Sequence, residues 1–243
     1  MSNIIYELSI YSTDFSDKLI TQLSSPKLNT ISITNKKFNT PILEIIKNIQ
    51  NINPNLEIIP YYSLKYHQEK SLQDTTKALI KKLETYQKLS IKEILIISGN
   101  PKPKYNTIDV LNTLVKLYQT NQYPQIAIAY NPFLTGLELE MENTSIQNKL
   151  QSGIVSSVYL QIGIDLMTIK QSIKYLRRLQ PQLNIYISLM NPSPTRLAQF
   201  RYRPWKGVYL PEEYVKSSNN AYNINQSITK LAKNMKIGII QGD

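Results

Sequence analysis

Glu7 stands inside an apolar run, IIYELSIY, and its carboxyl is the sharpest chemical feature of the chain. Other apolar runs stop on groups able to bond a ligand. LEIIPYYS ends on Ser63, EILIISGN on Ser98, Gly99 and Asn100, QIAIAYNP near Tyr130 and Asn131, and VSSVYLQ on Gln161. If IIYELSIY is a strand, Tyr6, Leu8 and Ile10 share one face, and Glu7 shares the other with Ile5 and Ser9. A carboxyl buried there loses solvent, which favours its neutral, proton-carrying form and work as a general acid. The alternative is a carboxylate satisfied by a nearby Lys, Ser or Tyr, without chemistry. Gln161 offers two donors and an acceptor to a ring edge. Tyr130 offers a ring to stack or a hydroxyl to bond, or simply packs. Asn100 bonds a carbonyl or hydroxyl, or only holds the Gly99-Asn100-Pro101 turn.

The chain has no cysteine and one histidine, His67. Disulfides, thiolate metal sites, thiol nucleophiles and His-rich metal centres are thereby excluded. Chemistry must come from carboxylates, hydroxyls, amides, Lys/Arg or a borrowed cofactor. The net charge is +11, from 28 basic and 17 acidic residues, much of it lysine scattered along helices. Most of that charge reads as a solvated surface. The dense segment Arg201-Tyr202-Arg203-Pro204-Trp205-Lys206, with Arg177 and Arg178 upstream, is the best candidate for an anionic partner. It comes with no nucleic-acid fold signature, so nucleic acid is not the expected partner.

The elements that position these residues follow from periodicity. Strands are expected near residues 3–11, 30–34, 56–62, 93–98, 125–130, 155–161, 184–189 and 236–240. Helices are expected near 14–23, 40–52, 71–88, 107–119, 166–179, 195–201, 211–216 and 224–234, with one more running to Ser152 after a loop opened by Asn131-Pro132. Thr40-Pro41 reads as N-cap and first helical residue, and Gly153 as a C-cap glycine. No linker or composition shift interrupts the alternation, so residues 1–243 read as one domain. Alternating strand and helix in this number predicts an α/β fold, a single (β/α)8 TIM-type barrel with a parallel sheet, slightly truncated at its C-terminal end. In that fold all strand C-termini meet at one face, which gathers the polar residues above. A doubly wound open sheet is the runner-up, but the turn STDFSD carries no glycine fingerprint.

At these strand ends the sequence resembles the methylenetetrahydrofolate reductase family, flavin-dependent (β/α)8 barrels, over most of the chain and in the same order. YELSIYSTD is similar to the family's first-strand FEFFPP segment, which implies that Glu7 is the catalytic glutamate that helps protonate the folate nitrogen. IIPYYSL is similar to its HLT strand end, with Ser63 in place of Thr. EILIISGNPKP resembles the ALRGDPP loop, and AIAYNP resembles the AxYPE segment, which puts Tyr130 on a flavin-contacting tyrosine. LQSGIVSSVYLQIGID resembles KVDAGADFIITQxFFD, which puts Gln161 on the folate-contacting glutamine and Asp165 on the following Asp. GVYLPEEY is similar to the VxIP segment after strand seven. Glu142 and Lys149 fall near a flavin-contacting acid and lysine, and Phe200 near an aromatic that stacks on folate. The resemblance thus implies FAD held by Ser63, Ser98, Gly99, Asn100, Tyr130, Glu142 and Lys149, folate held by Gln161 and Phe200, and NAD(P)H as donor. The departures lie in the flavin set. Ser98 and Asn100 replace an Arg and an Asp, Phe133 and Leu134 lie where a His is usual, and Asn148 stands where an Arg would face flavin phosphate. Each removes charge or hydrogen bonding that a diphosphate uses.

Three functions are open on these grounds. One is a divergent reductase passing hydride from nicotinamide through FAD to a folate. The second is an inactive barrel serving as a structural or accessory subunit, with protein partners or self-association. The third is a folate or pterin barrel without flavin. No apolar run reaches the roughly 18 residues of a membrane span. The N-terminal residues Glu7, Asp14 and Asp17 do not suit a secretory or transit peptide. A cytoplasmic location is therefore the default expectation.

Overall fold

The computed structural model describes residues 4–10, 12–34, 40–99, 103–117 and 123–242. Asn100, one of the expected flavin contacts, lies outside them. Eight parallel strands close into a barrel in sequence order: β1 (Ile4–Leu8), β2 (Thr30–Ile33), β3 (Glu57–Ser63), β4 (Glu93–Ile97), β5 (Gln125–Tyr130), β6 (Val155–Leu160), β7 (Asn184–Leu189) and β8 (Gly238–Gly242). The helices are α1 (Asp17–Leu23), α2 (Ile42–Ile52), α3 (Leu72–Lys88), α4 (Thr107–Leu117), α5 (Gly136–Gln151), α6 (Leu166–Leu179), α7 (Pro194–Tyr202), α8 (Glu212–Lys216) and α9 (Ser218–Asn234). Strands buried on both faces need apolar side chains on both, hence runs such as EILII in β4 rather than strict alternation. The expected barrel is thus the observed fold. Among the described residues no helix is long and apolar enough to cross a membrane.

The chain forms two compact units. One is built mostly from Ala129–Leu150 and Ser157–Asp243, the other from Ile5–Ile128 with Gln151–Ser156. In the second unit, α2 buries Ile42, Ile45, Ile46 and Ile49, the i, i+3, i+4, i+7 stripe of a helix lying on a sheet. In the first, Met190, Leu197, Phe200, Val208, Tyr214 and Val215 form a separate buried cluster beneath α7 and α8.

Several boundaries differ from the sequence expectation. Helix α1 starts at Asp17, because the Ser16 side chain accepts from Leu19 N–H and caps it. Helix α2 has Pro41 rather than Thr40 at its N-cap, with no side-chain cap bond. Helix α9 starts at Ser218, six residues before the apolar pattern begins, because Ser217 caps it by accepting from Asn220 N–H. A polar first turn hides a helix from hydrophobic periodicity.

Strand β3 shows how pleating sorts the site. Tyr62 is buried and stacks on His67 at 4.3 Å between ring centroids. Its neighbours Tyr61 and Ser63 therefore point away from α3. Burial, and then the Lys82 charge, push the His67 pKa down to about 4. The folded protein therefore holds this imidazole neutral, while the unfolded chain protonates it near 6.5. Stability from this group is fully present above about pH 6.5 and is lost as pH falls toward 4. Chemical unfolding between pH 7.5 and 4.5 should show wild-type stability dropping about 1–3 kcal/mol more than that of a His67→Gln variant. Equal slopes would show that His67 is not held neutral.

Candidate functional site

The polar face of β1–β4 is the site that the second unit assembles by itself. Glu7 pairs in register with Ser32, and Ser32 with Ile59 two residues before Tyr61. The Tyr61 hydroxyl donates to the Glu7 carboxylate at 2.5 Å. Burial first, and then the Glu7 charge and this hydrogen bond, raise the Tyr61 pKa well above its ordinary value. Tyr61 therefore keeps its proton at any physiological pH and acts as a fixed donor toward Glu7. Thr34 extends the polar face, its hydroxyl bonding Ser9 at 3.4 Å. Glu7 is half-buried.

Two hydroxyls on these strands are left over. Ser32 and Ser63 are 0% and 1% exposed, and among the described residues neither Oγ has a hydrogen-bond partner in good geometry. Ser32 points its hydroxyl toward the Tyr61 oxygen and opposes the rise in the Tyr61 pKa, although the contact falls short of full hydrogen-bond geometry. Buried hydroxyls without partners cost about 1–3 kcal/mol each, so native proteins rarely keep them without a use. Gly99 stands over Ser63, since a Cβ built at Gly99 would lie 2.8 Å from Ser63 Oγ. Ser98 looks elsewhere, bonding the hydroxyl of Thr107 at the start of α4 at 2.8 Å.

The first unit holds the other expected site residues. Tyr130 is buried and donates from its hydroxyl to the Asn143 side chain on α5 at 2.6 Å, so it faces a helix. Glu142 accepts the Asn131 backbone N–H at 3.1 Å. Lys149 is buried on the same helix; burial lowers its pKa and the Glu142 charge opposes that shift. Gln161 turns its side-chain oxygen onto its neighbour's N–H, Ile162, at 3.0 Å. Asp165 caps α6 by accepting from Thr168 N–H, and this bond lowers its pKa. Phe200 is core: it is 4% exposed and meets Trp205 edge-on at 5.7 Å. A groove of about 940 Å³ runs past Tyr130, Phe133, Asn143, Thr168, Tyr175 and Tyr209. Phe133 lies flat against the backbone at Gly163, where a Cβ would come 2.3 Å from its ring.

The structure thus brings Glu7, Ser63 and Gly99 to one strand face, and gives Ser98, Tyr130, Glu142 and Phe200 partners within the protein. Sequence reasoning missed Tyr61 and Ser32. The period-2 rule, applied backwards from Ser63 and across to TISI, carries the signal for both.

No family model and no curated protein matches the chain. Solved structures do resemble it in fold. A Clostridium thermocellum protein that binds two copies of 5-methyl-5,6,7,8-tetrahydrofolic acid superposes with a TM-score of 0.62 at 12% identity, over 99% of this chain and 88% of that one. The catalytic domain of a Pyrococcus furiosus chitinase gives 0.63 at 10% identity, over 100% and 83%. The DHPS of Yersinia pestis with a pterine-sulfa conjugate gives 0.50 at 11%, over 99% and 86%. Such identities show the barrel alone, and the chemistry has to be decided by side chains. Glycoside hydrolysis in its canonical form uses two carboxyls about 5–9.5 Å apart across the scissile bond. Among the described residues of the strands the carboxylates are Glu7, Glu57 and Glu93, and the latter two open their strands at the opposite end. The strands therefore offer Glu7 no such partner.

Proposed function

We propose that this chain binds a reduced folate or related pterin-type ligand at the polar face of β1–β4. The observation that carries the reading is a pair of buried hydroxyls, Ser32 and Ser63, without a well-formed hydrogen bond among the described residues, beside the Tyr61–Glu7 hydrogen bond. A pterin edge carries amino and ring N–H donors beside a carbonyl. A carboxylate accepts from the donors, and serine hydroxyls satisfy the carbonyl and ring nitrogens. Tyr61 holds the carboxylate in place and keeps its own proton. The folate-binding and pterine-bound barrels of the same fold support this choice of ligand over a glycan.

The finer form of the reading is hydride transfer from NAD(P)H through FAD to folate, with Glu7 supplying a proton to the folate nitrogen. FAD would supply the hydride relay. Of the residues that would hold it, Ser98, Tyr130 and Glu142 already bond within the protein. They fit FAD poorly as they stand, and the flavin part rests on the sequence resemblance. A second reading, an inactive accessory subunit, is favoured by one observation. Met167, which lines the 940 Å³ groove, is 61% exposed, and Leu137 and Met141 on α5 are 70% and 57% exposed, large apolar side chains of the kind a partner covers.

Calorimetric titration with 5-methyltetrahydrofolate and with pteroate tests the binding reading. Saturable binding of either supports it, and none with either compound removes it in favour of the accessory subunit. The absorption spectrum with FAD, then with NADH under anaerobic conditions, tests the finer form. A flavin band that bleaches carries the reductase, and no bound flavin leaves a flavin-free folate barrel.

A further inference from the structure

The segment around α7 is unused by the folate reading. From Met190 to Leu210 the chain contains no acidic residue, yet it carries Arg196, Arg201, Arg203 and Lys206. A groove of about 1060 Å³ lies along this segment, lined by Gln199, Tyr202, Arg203, Trp205 and Lys206 among others. Its two aromatic rings are held differently. Trp205 is anchored, meeting Phe200 edge-on at 5.7 Å and lying 5.8 Å from the Arg196 guanidinium. Tyr202 stands out in water at 91% exposure. A large ring left this open amid cations, with no carboxylate nearby in sequence, suits a partner that is both flat and anionic.

We propose that this groove binds single-stranded nucleic acid, with a base stacked on Tyr202, a second against Trp205, and phosphates on Arg201, Arg203 and Lys206. The sequence carries no nucleic-acid recognition fold. Single-strand binding needs none, because a stacking platform and a row of cations suffice. An acidic peptide would neutralise the same cations but make little use of the exposed ring. The net charge of +11 draws polyanions toward the whole molecule.

Trp205 is the sole tryptophan, so its emission reports on this groove directly. A twelve-nucleotide oligouridylate titrated into the intact chain at low salt should quench that emission and bind with a Kd on the order of micromolar. Three phosphate contacts on a single strand predict a slope of log K against log salt of about −2. Tyr202→Ala and the double variant Arg203→Glu/Lys206→Glu should each weaken binding about tenfold or more. All three residues are exposed, so thermal unfolding should match the parent and show that the variants fold. Absence of quenching by the oligonucleotide would overturn the proposal. So would equal affinity for a twelve-residue polyglutamate, or unchanged binding by Tyr202→Ala.

Discussion

Glu7→Gln is expected to weaken binding of 5-methyltetrahydrofolate about tenfold to a hundredfold while leaving the fold intact. Hydrogen bonds to a charged group are worth about 1.5–3 kcal/mol, and the carboxylate is the charged acceptor on this face. Glutamine keeps the volume and one carbonyl oxygen, so Tyr61 retains an acceptor and the buried phenol is not orphaned. What is lost is the negative charge and one of two acceptor oxygens, which on the proposed binding mode meet the ring N–H groups of the ligand. Tyr61→Phe keeps the charge but removes the donor that fixes it at 2.5 Å. It should weaken binding less, by about threefold to tenfold, because the carboxylate gains freedom that the ligand must then restrict. Titration calorimetry on both variants separates the two roles. Equal affinity of Glu7→Gln and wild type would remove Glu7 from the site. If FAD and NADH bind as the finer reading requires, Glu7→Gln should also stop folate reduction while sparing flavin reduction.

The legible and illegible parts of this site divide along a physical line. Strand ends announce themselves, because an apolar run that stops on Ser63 or Gln161 marks both the strand and its exit. The barrel was readable for the same reason, since eight such runs alternate with helical stripes. Which way a strand-end residue faces was not readable, because it depends on pleat phase. Tyr130 and Ser98 fall one position out of phase with a site-facing reading, and each bonds the helix that follows its strand. Tyr61 and Ser32 fall in phase, but a tyrosine in a chain with 17 of them, and a lone serine in a four-residue strand, look like packing. Glu7 stood out because a carboxylate inside an apolar run has no packing explanation.

Gly99→Ala is expected to destabilise the protein by about 2–4 kcal/mol and to damage the same site. Two effects add. Gly99 has φ +84°, where a Cβ meets the carbonyl oxygen and costs about 1–2 kcal/mol. That Cβ would also lie 2.7 Å from Lys65 Cδ and 2.8 Å from Ser63 Oγ. The lysine tail can swing into solvent. The serine cannot yield as easily, being 1% exposed at the end of β3, where it is in register with Ile97 of β4. The backbone is pinned as well, since Lys65 N–H donates to the Ser98 carbonyl at 3.1 Å. For a chain of this length, about 2–4 °C of Tm per kcal/mol predicts a loss of roughly 5–15 °C. A Ser63→Ala change made alongside Gly99→Ala removes the Oγ but not the backbone strain, so it should restore about half of that loss. It should not restore ligand affinity, because the Ser63 hydroxyl is one of the two groups proposed to bind the ligand. Thermal unfolding and folate titration of the single and double variants therefore separate strain from site. If Gly99→Ala unfolds at the parent temperature, the tight turn over Ser63 does not exist, and Ser63 loses its place beside Glu7.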